Sequence, residues 1–187
     1  MATLNRVFGA LQDGEVELEP SRINNIELIQ EESDLPSVSG GERQLEDRTA
    51  YLFSGFTTSP DTLLLGDPSP LLGMHGAIDG FIHTGGSTAV KGEDVDYFQA
   101  DMYVHSPGGQ VLDISGDETN EVLVESVSAS DAAGLGNSAD LGTIDGMRVP
   151  SFKGCNFEDI GSALTFTGES DKIFFSECPF RGVDDNG

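Results

Sequence analysis

Tryptophan is absent from the 187-residue chain, cysteine occurs twice, and lysine stands only at Lys91, Lys153 and Lys172. Two cysteines, Cys155 and Cys178, cannot build the disulfide framework of a small secreted scaffold. Nine Lys and Arg face 33 Asp and Glu, a net charge of −24. Such a surface repels phosphate backbones and anionic lipid, which excludes nucleic acid and anionic membranes as expected partners. No stretch approaches the roughly 20 apolar residues of a membrane-spanning helix. Met1–Leu11 holds no sustained apolar core of an export leader. The expectation is a soluble chain without membrane insertion.

The acids that remain admit two readings. One is a set of carboxylate sites for divalent cations such as Ca²⁺. The other is a protein working in concentrated salt, where screening removes the self-repulsion. Scarce lysine, with acids spread along the whole chain, favours the halophilic reading. Disorder is a poor account of the acidity, because Val, Ile, Leu and Phe cluster regularly.

The chain divides into two parts. Residues 1–43 read as an acidic N-terminal attachment arm that orders on a neighbouring subunit. Within it Ile23, Ile26 and Ile29 fall at helical spacing after Ser21 as N-cap, while Ile26 and Leu28 fit a strand equally well. Ser37–Gly41 is a turn-rich joint. Residues 44–187 read as one all-β domain. Short apolar runs at Tyr51–Phe53, Thr62–Leu65, Gly80–His83, Ala89–Val90, Val111–Ile114, Val122–Val124, Phe152–Phe157, Ala163–Phe166 and Ile173–Phe180 alternate with Gly, Asp, Ser and Pro.

Internal repeats decide which all-β fold to expect. One motif, Gly-x-x-φ-x-φ-x-Gly with φ mostly apolar, occurs at Gly109–Gly116 and returns 52 residues later at Gly161–Gly168. A weaker copy uses Gly85, Thr88, Val90 and Gly92. A second motif, φ-x-x-φ-x-φ, recurs at Tyr97/Ala100/Met102, Val124/Val127/Ala129, Phe152/Cys155/Phe157 and Phe175/Cys178/Phe180. Its copies lie 27, 28 and 23 residues apart. The 52-residue spacing is then two coils. The pattern implies a right-handed parallel β-helix, a pectate-lyase-like solenoid of about five to six coils of about 25 residues. Propeller blades need about 40 residues, and the leucine-rich repeat signature is absent. The expected inward ladders are Tyr97/Val124/Phe152/Phe175, Ala100/Val127/Cys155/Cys178 and Met102/Ala129/Phe157/Phe180. Ser128–Ala139, rich in Ala, Gly and Ser, is expected as an inserted loop. Strand edges at the solenoid ends need covers; residues 1–43 can supply the first, and a partner chain is expected beyond Phe180.

Particular stretches carry a family resemblance. They are RQLEDRTAYLFSG at Arg43–Gly55, LLLGDPSPLLG at Leu63–Gly73, IDGFIHT at Ile78–Thr84, and the coil Gly161–Phe180. In this order they resemble right-handed β-helix structural proteins of tailed viruses, which form tail fibres, spikes and other virion appendages. Together with the acidity, the resemblance implies a virion protein of a haloarchaeal virus. It implies fold more strongly than task, since solenoids host many functions.

Candidate chemistry is sparse. Polysaccharide-cleaving solenoids carry paired carboxylates beside a basic residue on one face, sometimes with Ca²⁺. Asp79, Asp94, Asp96, Asp101 and Asp113, with Arg148 or Lys153, are the candidates. In so acidic a chain the bland reading, solvated surface acids, dominates. No Asp-x-Asp-x-Asp-Gly calcium loop occurs. His75, His83 and His105 would form a metal site only if they stacked in successive coils, and His83 and His105 have the spacing of ladder neighbours. Gly-x-Ser-x-Gly is absent, which leaves Ser-His-Asp chemistry without its elbow. Cys155 and Cys178 read as a reduced core pair, and Phe152, Phe157, Phe175 and Phe180 as an aromatic core ladder. No catalytic residue and no cofactor is therefore assigned.

The functional expectation is a non-enzymatic virion component. It would assemble as a homo-oligomer, a trimer for instance, with other virion structural proteins, and meet a host surface glycan or glycoprotein through exposed loops. A polysaccharide lyase or hydrolase, and a halophile surface adhesin, are the alternatives.

Overall fold

Short strands punctuated by turn residues cannot bury both faces alone, so they stack. The computed structural model describes residues 23–75, 78–95, 97–116, 121–125, 128–130, 140–146, 151–153, 156–158, 162–168, 174–176 and 180–181. Three sheets run along the molecule. Sheet I contains β1 (Asn25–Ile29), β4 (Thr49–Phe53), β7 (Leu71–Gly73), β10 (Tyr97–Asp101), β13 (Glu121–Glu125), β16 (Ser151–Lys153) and β19 (Phe174–Ser176). Sheet II contains β5 (Phe56–Ser59), β8 (Gly80–His83), β11 (Tyr103–His105), β14 (Ser128–Ser130), β17 (Asn156–Glu158) and β20 (Phe180–Arg181). Sheet III contains β2 (Val38–Ser39), β3 (Glu42–Gln44), β6 (Thr62–Leu64), β9 (Val90–Gly92), β12 (Gln110–Ser115), β15 (Asp140–Asp145) and β18 (Ser162–Thr167). From β4 onward the chain visits sheets I, II and III in turn, and every pair is parallel except β2 with β3. This is a parallel β-solenoid with the topology of a right-handed β-helix.

The register sets the coil length. Along sheet I successive partners are 20 to 29 residues apart, as in Tyr51 with Leu71 and Leu71 with Ala100. The 52-residue repeat is two coils: Leu112 pairs with Gly142, which pairs with Leu164. The intervening β15 escapes the apolar pattern because Gly142 stands where the other copies carry leucine. At a φ of +128°, a Cβ there would come within 1.7 Å of the Leu112 carbonyl oxygen, so only glycine fits. Segment Ser128–Ala139 is not wholly a loop, since Ser128–Ser130 is β14; residues 131–139 lie outside the described residues.

All three expected ladders shift at their first step, and Ala100 stacks on Val124 where Val127 was expected. Val124, Phe152 and Phe175 align, but Val124 stacks on Ala100, and Tyr97 on Glu121. Likewise Ala129, Phe157 and Phe180 align, while Met102 precedes β11, whose Tyr103 pairs with Ser128. The weaker glycine motif also slips: Val90 pairs with Leu112 and Gly92 with Ile114. Each slip has one cause. Turns between faces absorb different residue numbers, so motif spacing does not transmit register. Cys155, Cys178 and Val127 lie outside the described residues.

Alternate residues of each strand point inward. Ile29, Tyr51, Phe53, Leu63, Leu71, Phe81, Val90, Phe98, Val104, Leu112, Ile114 and Ile144 form one continuous, fully buried core. Each large side chain contributes about 1.5–3 kcal/mol on leaving water. Gly92 opens room for Val95, whose methyl would lie 2.5 Å from an added Cβ.

The solenoid begins before the expected boundary at residue 44. β1 pairs along its whole length with β4, so Asn25–Ile29 takes the strand alternative and not the helical one. A 3₁₀ turn, Glu32–Asp34, then crosses the end of the core. Asp34 Oδ2 accepts the backbone N–H groups of Gln30 and Glu31 at 2.9 and 3.0 Å. Leu35 drops into the main core. Arg43, on the inward ladder with Leu63, is buried there. Its guanidinium donates to Glu32 (2.7 Å), Asp61 (3.0 Å) and the Pro36 carbonyl (2.9 Å), so the buried charge is neutralised and hydrogen-bonded. Among the described residues no helix is long and apolar enough to cross a membrane.

Candidate functional site

Among the described residues, sheet II carries a chemically varied surface. Its inward positions include Thr57 and Ser59 on β5, Phe81 and His83 on β8, and Val104 on β11. The outward positions are Phe56 and Thr58, Gly80 and Ile82, then Tyr103 and His105. Phe56, Gly80 and Tyr103 therefore form one outward ladder. A Cβ on Gly80 would sit 1.9 Å from the Tyr103 carbonyl oxygen, which makes glycine obligatory. With no side chain on the middle rung, the Phe56 and Tyr103 rings meet edge to face at 5.5 Å and 76°. Tyr103 stacks in turn on His105, with centroids 5.9 Å apart. Phe56 is 52% exposed and Ile78, just before β8, is 68% exposed. Phe56 and the partly buried Tyr103 thus present an aromatic strip to the outside, while His105, on the same outward side, is buried.

Asp79 organises the approach to this strip. Its carboxylate accepts the backbone N–H of Gly55 at Oδ1 (2.8 Å). At Oδ2 it accepts the His75 N–H (2.8 Å) and meets the His75 ring at Nδ1 (2.7 Å). The carboxylate is almost fully buried, and its lone pairs tie the turn before β8 to the start of β5. Asp79 thus positions the turn that carries His75. His75 lies half exposed at the edge of the same turn.

The other sequence candidates are dispersed. Asp101 is on the outer side of sheet I and Asp113 on the outer side of sheet III. Asp94 occupies an exposed turn at a φ of +52° beside the Lys91–Glu93 ion pair. Asp96 and Arg148 lie outside the described residues, as does the Lys153 side chain. The described candidates Asp79, Asp94, Asp101 and Asp113 do not share one face; the carboxylates that do meet, Glu32 and Asp61, are joined through Arg43 and Ser59.

The histidines do not converge either. His83 faces the interior in register with Ser59, whereas His105 is in register with Ile82, one residue off, and faces outward. The expected His83/His105 ladder is corrected by that single-residue offset, which reverses the side-chain direction. Among the described residues no group of three or more His, Cys, Asp or Glu could hold a metal ion.

His83 belongs to an interior polar network that sequence reasoning missed. Its Nδ1 lies 3.2 Å from Ser106 Oγ and its Nε2 lies 3.3 Å from Ser87 Oγ, which continues to Thr62 Oγ1 at 3.2 Å. Burial pushes the imidazole pKa below its ordinary value; the Pro60 carbonyl and Asp61 oppose this and do not reverse it. The group is sealed in, so it specifies packing. The aromatic strip was legible only as alternation: Phe56 lies one residue out of phase with Thr57 and Ser59, and Tyr103 one out of phase with Met102 and Val104.

No family model, no curated protein and no solved structure matches this chain.

Proposed function

We propose that this chain is a non-enzymatic virion component whose aromatic strip on sheet II holds a neutral sugar of a host surface glycan. The observation that carries the binding half is the exposed Phe56 ring braced by Tyr103 over Gly80. The apolar C–H face of a pyranose buries well on such a rigid aromatic surface. The net charge of −24 disfavours acidic polysaccharides and leaves neutral sugars as the class. The dispersed acids support a binding role over a cleaving one. The virion half rests on the sequence resemblance of Arg43–Gly55, Leu63–Gly73, Ile78–Thr84 and Gly161–Phe180. Self-association, a trimer for instance, and contact with other virion proteins would cover the strand edges at the ends.

Titration of the full chain in molar salt with neutral and uronic-acid host polysaccharides tests the binding half. The neutral polymer binds, and Phe56→Ala weakens it about fivefold, the effect of roughly 1 kcal/mol of aromatic contact. Equal binding by both polymers, or none, overturns this half, and release of reducing ends overturns the non-enzymatic reading. Mass spectrometry of purified virus particles tests the other half; their lack of this chain overturns it.

A further inference from the structure

Asp79 reaches three places at once. Its Oδ1 accepts the Gly55 N–H at 2.8 Å, one residue before Phe56, and its carbonyl accepts the Tyr103 N–H at 3.0 Å. Its Oδ2 accepts the His75 N–H at 2.8 Å and lies 2.7 Å from His75 Nδ1. One residue therefore holds the backbone at both aromatic ends of the strip and also holds the His75 ring.

The ring contact decides a tautomer. A carboxylate only accepts, so the proton lies on Nδ1, and the neutral ring keeps its free lone pair on Nε2. The Asp79 side chain is 8% exposed and the His75 side chain 54%. The Nδ1 edge rests against the buried carboxylate, so the open edge is the one that carries Nε2. Among the described residues nothing is hydrogen-bonded to Nε2. Two backbone N–H groups already tie the turn to the start of β5 through Asp79. The contact with Nδ1 adds an orientation for the ring.

Phe56 offers a sugar an apolar ring and no polar side-chain atom. Binding sites of this kind add a few placed polar groups that fix the ligand's orientation. The hydroxyls of a pyranose stand at the rim of its C–H face, and each has a proton to donate. An oriented acceptor at the approach to the strip meets that need. We propose that His75, oriented by Asp79, is a specificity residue of the strip: its Nε2 accepts a hydroxyl proton of the neutral sugar whose C–H face lies on Phe56. This role rests on the sugar-binding reading of the strip and adds to it a requirement for a free hydroxyl at that rim.

Two measurements on the full-length chain in molar salt test this role. Nitrogen-15 NMR of histidine-labelled protein at pH 8 reads the ring without any ligand. His75, identified by the resonances that His75→Asn removes, shows a protonated Nδ1 and a bare Nε2. A proton on Nε2 overturns the proposal and leaves the sugar-binding reading intact. The second measurement is titration with the neutral host polysaccharide. His75→Asn keeps an N–H donor for Asp79 near the Nδ1 position and has no atom at Nε2. It weakens binding about fivefold, the effect of one hydrogen bond, while the Gly55 amide resonance stays in place. A loss of binding with the Gly55 resonance displaced assigns the effect to a disturbed turn and overturns the proposal. If Phe56→Ala weakens binding and His75→Asn does not, the strip holds sugar without His75 and the proposal falls alone. If the unmodified chain does not bind the polymer, the sugar-binding reading falls and this role falls with it.

Discussion

Phe56 and Tyr103 stand two coils apart on one outward ladder, and their rings meet edge to face because Gly80, on the rung between them, has no side chain. The glycine is fixed by the backbone: an added Cβ would lie 1.9 Å from the Tyr103 carbonyl oxygen. Gly80→Ala must push β8 and β11 apart. Strain of this kind costs about 1–3 kcal/mol, and the lost pairing adds to it. Urea unfolding in molar salt should give a midpoint clearly below that of the unmodified chain. Phe56→Ala, at an exposed ring, should leave the midpoint nearly unchanged. Equal midpoints for Gly80→Ala and the unmodified chain would show that the coils are not held at the close approach described.

The Arg43 cluster closes one end of the core. Removing the guanidinium while Glu32 and Asp61 stay leaves two carboxylates side by side and the Pro36 carbonyl without its donor. Breaking a fully buried pair costs about 3–5 kcal/mol. Glu32 is 44% exposed, so roughly 2 kcal/mol is expected for Arg43→Met. Hydrogen exchange should quicken first in β3 and β6. A triple change that also neutralises Glu32 and Asp61 with Gln and Asn should recover part of the loss. If the single variant is as stable as the parent, the cluster is no more than a surface ornament.

The His83 pKa gives a sign to the pH dependence. Burial lowers it in the folded chain, so between that value and the ordinary 6.5 the unfolded chain binds more protons. Stability is therefore complete above about 6.5 and declines as pH falls through the folded pKa. Denaturant midpoints measured from pH 7.5 to pH 5 at constant molar salt should fall for the parent. They should fall less for His83→Asn, which keeps a polar side chain but does not titrate. Identical slopes for the two proteins would remove His83 as the source.

Salt should stabilise the fold. With 33 acids against nine Lys and Arg, folding concentrates like charge on a compact surface, and screening relieves it. The thermal midpoint in 2 M KCl should exceed that in 0.1 M KCl. Tetramethylammonium chloride, at equal ionic strength, should reproduce most of the gain if screening is the cause. A midpoint that is flat or falling with salt would sink the halophilic reading.

The sequence by itself determined the class of fold. Phe152/Phe175 and Phe157/Phe180 are true rung partners, and the 52-residue repeat is two coils. The match lies in strand register alone: Phe175, expected in the aromatic core ladder, is 45% exposed, so a repeated apolar spacing places a rung without showing that it is buried. Register between non-identical coils was decided only by the tertiary structure. Tyr97 aligns with Glu121 and not Val124, because the turn before each strand absorbs a different number of residues, and nothing in an apolar spacing records that number. The aromatic strip depended on the same hidden quantity. Phe56, Gly80 and Tyr103 are ordinary residues 24 and 23 positions apart until pairing sets them on one ladder. A shift of one residue would have turned both rings inward, as the offset between His83 and His105 demonstrates. Periodicity is a property of each strand alone, whereas the face a ladder presents is a property of how strands are stacked.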